Sequence, residues 1–194
     1  MKAAIVRYNA GNTASVVNAL RRLGHEPEIT DDAATLAAAD KVIFPGVGEA
    51  ASAMRYLRER GLDRVIRELR QPVLGICLGM QLFCASSEEH ETECLDVAPL
   101  RVRRFAEPGL KVPHMGWNNV RHDGSPLFSG IPQDEYFYFV HGYYAETGEA
   151  TISRCTYGSE FTAALNKDNF YGVQFHPERS GDAGARLLEN FLSL

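Results

Sequence analysis

Apolar runs alternate with helical periodicities through the first part of the chain, and this alternation constrains the fold more than any other feature. Runs rich in Ile and Val predict buried strands at 2–6, 40–44 and 73–76, with a weaker strand at 26–29. Helices are predicted between and after them at 13–23, 31–39, 49–60, 62–69 and 78–84. This β-α-β-α order indicates a parallel sheet with helices packed on its faces.

Residues 99–175 have a different character, because short alternating runs are separated by Gly-containing turns. Strands are predicted at 100–105, 118–120, 135–141, 150–155, 162–165 and 171–175. An amphipathic helix at 184–194 follows them. The predicted fold class is therefore α/β, with an open and mostly parallel sheet, helices on both faces and an antiparallel extension. No linker divides the chain, so we expect a single domain over 1–194.

Charge and cysteine usage limit the functional classes. With 20 basic and 25 acidic residues the formal charge is −5, which argues against nucleic acid or an anionic membrane as a partner. The four cysteines lack zinc-site spacing, and no apolar stretch reaches the ~20 residues of a membrane-spanning helix. The N-terminal residues lack a signal-peptide pattern, so we expect a cytoplasmic protein with free thiols and no metal.

The segment Gly75-Ile76-Cys77-Leu78-Gly79 has the form of a nucleophile elbow with Cys in place of Ser. A strand would end at Cys77 and a helix begin at Leu78, so the sulfur would lie near a helix N-terminus that favours the thiolate. The N–H of Leu78 could donate to an oxyanion. The pentapeptide alone fits a buried cysteine between two packing glycines equally well.

A thiolate nucleophile needs a base, and the base needs a partner that orients it. Of the six histidines, His176 alone has a carboxylate two residues on, at Glu178, in a context predicted to be extended. Residues i and i+2 of an extended chain point the same way, and Pro177 disfavours a helix. Glu178 could then accept a hydrogen bond from one ring nitrogen. An isolated His-x-Glu is more commonly a solvated loop, but the elbow favours a Cys-His-Glu triad.

A glycine-rich turn, Pro45-Gly46-Val47-Gly48, follows the strand that ends at Phe44. Ligands bind at the carboxyl ends of parallel strands, where this turn and the elbow would lie together. Its backbone amides are candidates for a second oxyanion donor, although this segment taken alone is more commonly an ordinary β-to-α turn.

Together these segments resemble the class-I (triad) glutamine amidotransferases, whose fold is flavodoxin-like. The superfamily motifs are the elbow, continued to Gln81, and His176-Pro177-Glu178. Three further segments resemble the glutaminase subunits of imidazole glycerol phosphate synthases, which serve histidine biosynthesis: 45–48, 112–118 (Val-Pro-His-Met-Gly-Trp-Asn) and 138–141 (Tyr-Phe-Val-His). Glutaminases for anthranilate, pyridoxal phosphate or GMP synthesis share the triad but lack the 112–118 pattern.

The resemblance implies a role for each motif. Cys77 would attack the side-chain amide of glutamine, His176 would transfer protons, and Glu178 would orient His176. The oxyanion would be held by backbone amides of Leu78 and of Val47 or Gly48. The residues implied at the substrate are Gly46, Gln81, Glu89, His141 and Tyr143, and those implied at the partner interface or ammonia route are Trp117, Asn118 and Arg179.

The implied partner is a cyclase subunit with a (β/α)8 barrel, which would form a heterodimer with this chain and use the released ammonia. No cofactor is implied. Two positions depart from the subfamily pattern, since Arg179 replaces a usual Lys and Gly142 replaces a frequent Ser. A cysteine hydrolase of peptides could use the same elbow. A zinc deaminase also uses His-x-Glu, but its Cys-x-x-Cys partner motif is missing.

Overall fold

The computed structural model describes residues 1–194 and contains one large and one small sheet. The helices are α1 (Thr13–Arg22), α2 (Ala33–Ala38), α3 (Ala50–Glu59), α4 (Leu62–Glu68), α5 (Leu78–Phe83) and α6 (Gly181–Ser193). The strands are β1 (Ala3–Val6), β2 (Glu28–Thr30), β3 (Lys41–Gly46), β4 (Val73–Cys77), β5 (Cys84–Ser87), β6 (Thr92–Glu93), β7 (Ala98–Arg104), β8 (His114–His122), β9 (Glu135–His141), β10 (Tyr143–Ala145), β11 (Thr151–Tyr157), β12 (Ser159–Lys167) and β13 (Phe170–Val173). Every predicted helix and strand is present. No helix has the length and apolar character needed to cross a membrane.

The large sheet confirms the predicted fold class. Its nine strands run in the order β2-β1-β3-β4-β13-β12-β11-β8-β9. The first five are parallel to one another, and the remaining neighbours pair antiparallel. The elbow at the end of β4 therefore lies between the ends of β3 and β13, at the carboxyl edge of the parallel part.

Helices cover both faces of this sheet, as the alternation of side chains along β1 shows. Ala4 and Val6 pack into a core cluster with α3, α4 and α5, whereas Ile5 packs into a second cluster with α1 and α6. Successive strand residues point to opposite faces, so two cores form on one sheet. The elbow connects the two faces, because Cys77 belongs to one cluster and Leu78 to the other.

A four-stranded sheet, β10-β7-β5-β6, was not predicted. Its strand β5 has the sequence Cys-Ala-Ser-Ser, which lacks the β-branched and aromatic residues typical of strands. It pairs with the more regular β7, whose residues are buried at alternate positions. Tertiary pairing therefore determines the extended conformation of β5.

The segment after β13 differs from the prediction of a continuous extended chain. The strand ends at Val173 rather than Phe175, and Pro177–Arg179 forms a single 3-10 turn. The expectation that Glu178 follows His176 in extended chain is therefore wrong. Proline's fixed φ suits the first position of a helical turn as well as a strand, and Pro177 occupies that position.

Candidate active site

The elbow holds Cys77 in a rare backbone conformation at the junction of β4 and α5. Its φ is 53° and its ψ is −108°, values that L-residues seldom adopt. The flanking glycines permit this geometry, since a Cβ on Gly79 would overlap the carbonyl oxygen of Phe44. A Cβ on Gly75 would lie 2.5 Å from a ring carbon of Phe83. The close packing of α5 on β3 thus requires glycine at position 79, and its packing on β4 requires glycine at position 75.

The His176 side chain is fixed by its ring and its backbone. Its Nδ1 lies 2.8 Å from Oε1 of Glu178, and both side chains are buried. The backbone N–H of His176 donates to Tyr138 on β9, and its carbonyl accepts a hydrogen bond from the Ser180 hydroxyl. With Nδ1 engaged by the carboxylate, Nε2 is the nitrogen left for Cys77.

Electrostatics favour a protonated imidazole at His176. Burial alone would oppose the charge, but the neighbouring Cys77 and Glu178 outweigh it and raise the pKa of His176 to about 10. The second carboxylate oxygen of Glu178 is buried with no hydrogen-bond partner. An unpaired buried carboxylate oxygen keeps its attraction for the adjacent imidazolium strong.

Cys77 and His176 open into one pocket of about 350 Å³. Its walls come from the loop after β1, the 45–48 turn, α5, the segment before β8, the β9–β10 junction and the turn after His176. The lining residues are Asn12, Val47, Gly48, Cys77, Leu78, Gln81, Glu89, Pro113, Val140, His141, Gly142, Tyr143, His176 and Arg179.

Most of the predicted site residues meet in this pocket, and four lie outside it. Glu178 lies behind His176, and Gly46 lies beneath the elbow, where a Cβ would approach the Tyr8 hydroxyl within 2.5 Å. Trp117 and Asn118 are on β8, away from the pocket lining. Sequence reasoning did not assign Asn12, Pro113 and Val140 to the site, although the last two lie in the quoted motifs, and Gly142, noted only as a departure from the subfamily, also lines the pocket.

Several polar groups of the pocket lining are already hydrogen-bonded within the protein. Gln81 Nε2 donates to the Tyr143 carbonyl and to Oε1 of Gln174, each at 2.9 Å, so Gln81 Oε1 is the atom left to accept from a ligand. Glu89 Oε2 accepts from the backbone N–H of Ala50 at 2.7 Å, at the start of α3. This bond fixes the Glu89 carboxylate at the pocket wall.

The 45–48 turn does not direct the amide of Val47 toward the sulfur. The N–H of Val47 donates to the carbonyl of Ala10 at 2.5 Å, and Gly48 has a φ of +109°. Leu78 is the first residue of α5, and the first N–H groups of a helix have no partner within the helix. Of the proposed oxyanion donors, the Leu78 amide is at a helix start, the Val47 amide is occupied, and Gly48 lines the pocket.

Two buried histidines form a chain beside the pocket. His141 Nδ1 lies 2.7 Å from the Tyr143 carbonyl, and His141 Nε2 lies 2.9 Å from Nδ1 of His114. Burial lowers the pKa of His141 to about 3 and that of His114 to about 4. Both rings are therefore neutral near pH 7. The Tyr143 carbonyl can only accept, so His141 carries its proton on Nδ1 and accepts from His114 through Nε2.

An exposed apolar surface is formed by side chains at the pocket, before β8 and along the β8–β9 pair. Its members are large side chains that other proteins would bury, namely Val47, Val112, Met115, Trp117 and Tyr136. Trp117 is 56% exposed and Met115 63% exposed. Arg179, also exposed, is the cation at the rim of the pocket.

Comparison with known proteins places these features in a family context. The sequence profile of the family "Glutamine amidotransferase class-I" matches residues 4–194. The chain is 57% identical to the imidazole glycerol phosphate synthase subunit HisH of Bacteroides fragilis strain YCH46, and 49% identical to that of Escherichia coli K12. Each alignment covers 100% of both chains.

Solved structures show the same fold at low identity. A crystal structure of a glutamine amidotransferase superposes with a TM-score of 0.76 at 21% identity, covering 98% of this chain and 97% of that one. The structure of PurLQS from Thermotoga maritima gives a TM-score of 0.74 at 19% identity, with coverage of 99% and 97%.

Proposed function

Because this chain belongs to the class-I glutamine amidotransferase family, we infer that its pocket hydrolyses L-glutamine to glutamate and ammonia. The chain is the glutaminase subunit of an imidazole glycerol phosphate synthase and acts in histidine biosynthesis, as full-length identities of 49–57% support. The observation that carries the chemistry is that Cys77 and His176 meet at one pocket, with Glu178 hydrogen-bonded to His176 from behind. We propose that residues 1–194 work as one glutaminase domain.

The reaction begins with the sulfur of Cys77 and the imidazole of His176. The raised pKa of His176 favours an imidazolium beside a thiolate, which is the pair that nucleophilic attack requires. The thiolate attacks the side-chain amide carbon of glutamine, and His176 Nε2 donates its proton to the departing ammonia. A water then cleaves the thioester, with His176 as the base. Glu178 holds the tautomer and orientation of the ring through Nδ1.

The tetrahedral intermediate needs two amide donors, and the Val47 N–H, one of the two candidates for the second donor, is already bonded in this structure. The Leu78 N–H at the start of α5 is the first donor. The Val47 N–H becomes the second only after it leaves the Ala10 carbonyl. We propose that docking of the partner subunit releases this bond, because Val47 is exposed within the apolar surface at the pocket mouth. The isolated chain is therefore a poor glutaminase.

The free substrate-binding groups suit the α-ammonium of glutamine. Gln81 Oε1 is available to accept, and Glu89 supplies a carboxylate fixed by Ala50. His141 and Tyr143 also line the pocket, and the Tyr143 carbonyl accepts from Gln81. Gly46 supports the site by allowing Tyr8 and α5 to pack closely against β3, rather than by touching the substrate.

The partner is a cyclase subunit, which we propose to be a (β/α)8 barrel bound at the exposed apolar surface. Trp117 belongs to that surface and Arg179 stands at the pocket rim, whereas the Asn118 side chain points to the other face of β8 and donates to the Thr156 carbonyl. Ammonia is largely protonated in water near neutral pH and is then a poor nucleophile. A contact that seals the pocket mouth against solvent would deliver it unprotonated. We propose a cytoplasmic complex without nucleic acid or membrane, in keeping with four free thiols and a formal charge of −5.

The test compares two nitrogen sources in the complex of this chain with the cyclase. In Cys77→Ala, glutamine-dependent synthesis of imidazole glycerol phosphate should be lost while ammonia-dependent synthesis continues. Cys94→Ala removes a buried thiol outside the pocket and serves as the matched control. Retention of glutamine-dependent synthesis in Cys77→Ala, or failure of the wild-type pair to make the product from glutamine, would exclude the proposal.

A further inference from the structure

Gln174 is a fully buried polar residue next to the nucleophile, and the reaction described above leaves it without a role. Its side chain has no exposed surface, and its Nε2 lies 3.6 Å from the sulfur of Cys77. It follows β13 directly and precedes His176 by two residues. The backbone N–H of Gln174 donates to Ala163 on β12, which fixes its main chain.

The hydrogen bonds determine which end of the Gln174 carboxamide faces the sulfur. The Tyr143 carbonyl can only accept, so the atom of Gln81 that contacts it must be the amide nitrogen. That nitrogen also contacts Gln174 at 2.9 Å, so the Gln174 atom there must be the oxygen. The NH2 group of Gln174 is thereby turned toward Cys77. This orientation follows from the donor and acceptor chemistry of the chain of contacts.

We propose that Gln174 is a positioning residue that donates an N–H to the Cys77 thiolate and aims the sulfur into the pocket. The proposal rests on the proposed function, since it concerns the nucleophile of that reaction. The sulfur also lies 3.7 Å from the Val140 carbonyl, which can accept from a thiol but repels a thiolate. Loss of the S–H proton therefore removes the Val140 bond and leaves the Gln174 N–H as a side-chain donor to the anion.

The same contacts connect the nucleophile to the substrate anchor. Gln81 donates to Gln174 while its own oxygen faces the pocket, so a substrate ammonium bound at that oxygen would polarise the amide pair. The sulfur is thus coupled to occupancy of the site through two carboxamides. Titratable groups near this region are His176 after β13, Tyr8 after β1, and His141, Tyr143, Glu89 and Arg179 in the pocket lining.

The test measures alkylation of Cys77 by iodoacetamide as a function of pH, with mass spectrometry to assign the modified residue. Gln174→Met preserves volume and removes the donor. Its alkylation midpoint should rise by about one pH unit, with about tenfold slower alkylation below the midpoint, as expected for loss of a hydrogen bond to an anion. The buried Cys94 and Cys155, whose pKa values burial raises to about 12, should not react.

Asn190→Leu is the matched control, because Asn190 is a partly buried carboxamide that donates to Leu127 and Ser129 away from the pocket. The Asn190→Leu substitution should lower the free energy of unfolding without changing the pH midpoint of Cys77 alkylation. An unchanged midpoint in folded Gln174→Met would overturn the proposal.

A second measurement covers the case in which Gln174→Met does not fold. In the wild-type chain, the NMR signals of the Gln174 NH2 group should shift as Cys77 ionises, and in Cys77→Ala that shift should vanish. If the Gln174 NH2 signals respond neither to the ionisation of Cys77 nor to the Cys77→Ala substitution, the proposal for Gln174 is overturned. Neither assay needs glutamine or a partner, so a chain that shows the Gln174 effect but lacks glutaminase activity would count against the proposed function alone.

Discussion

Lowering the pH from 7 to 5 should destabilise this protein through its two buried neutral histidines, His114 and His141. Burial depresses both pKa values, to about 4 and about 3, whereas an unfolded histidine titrates near 6.5. At pH 5 the unfolded chain therefore binds two protons that the folded chain does not. Their stabilising contribution is complete above pH 6.5 and is lost progressively as the pH falls toward the folded-state values.

The magnitude follows from the difference in proton binding. Each histidine should contribute a loss of ~2 kcal/mol between pH 7 and pH 5, or ~4 kcal/mol for the pair, out of a typical total of ~5–15 kcal/mol. His176 acts in the opposite direction, because its raised pKa gives stability that is complete below pH 6.5 and lost as the pH rises toward about 10. Between pH 5 and pH 7 that contribution changes by less than ~1 kcal/mol.

The assay is urea unfolding at both pH values and constant ionic strength. The informative variant is His114→Phe, because the His114 ring stacks on Tyr157 with a centroid separation of 4.0 Å and phenylalanine keeps that contact without titrating. Its loss of stability on acidification should shrink to ~2 kcal/mol. His25→Gln, at a partly exposed position, controls for removal of an ordinary histidine. Equal stability at pH 7 and pH 5, or an undiminished drop in His114→Phe, would refute the reasoning.

Three other perturbations test the elbow, the triad and the partner surface. Gly79→Ala should lower the free energy of unfolding by more than ~3 kcal/mol or prevent folding, because the new Cβ would overlap the Phe44 carbonyl. The control Gly142→Ala should lower it by less than ~1 kcal/mol in the same denaturation assay. Glu178→Gln should lower glutaminase kcat in the complex at least ~100-fold, since it removes the charge that holds His176; an unaltered kcat would exclude that role. Trp117→Ala should weaken cyclase binding by more than ~2 kcal/mol while thermal stability stays nearly constant, and unchanged affinity in a binding titration would place the interface elsewhere.

Local pattern was sufficient to predict most of the fold. Strands such as β3 and β4 are continuous apolar runs that a parallel sheet buries on both faces, and the sequence signal for them is strong. Strands β5, β6 and β10 are short and pair through β7, so their conformation depends on residues distant in the chain. Pro177 is compatible with both an extended chain and a helical turn, and only packing distinguishes the two.

The candidate site likewise has features that local sequence predicts and features that depend on contacts between distant segments. The elbow and the His-x-Glu segment are local signals, because strained backbone and hydrogen-bond reach are determined by residues next to one another. The bond from Val47 to Ala10 and the contact from Gln174 to Cys77 join segments far apart in sequence. Nothing in their local spacing marks these pairs. The resting state of the oxyanion turn and the orientation of the sulfur therefore required the folded structure.

The most direct test of the central claim is rapid-quench mass spectrometry of the active complex during turnover of glutamine. We predict a glutamyl thioester on the peptide that contains Cys77, formed more slowly in His176→Ala and absent from Cys84, Cys94 and Cys155. Turnover of glutamine with no acyl group on Cys77, or with the acyl group on another cysteine, would contradict the account.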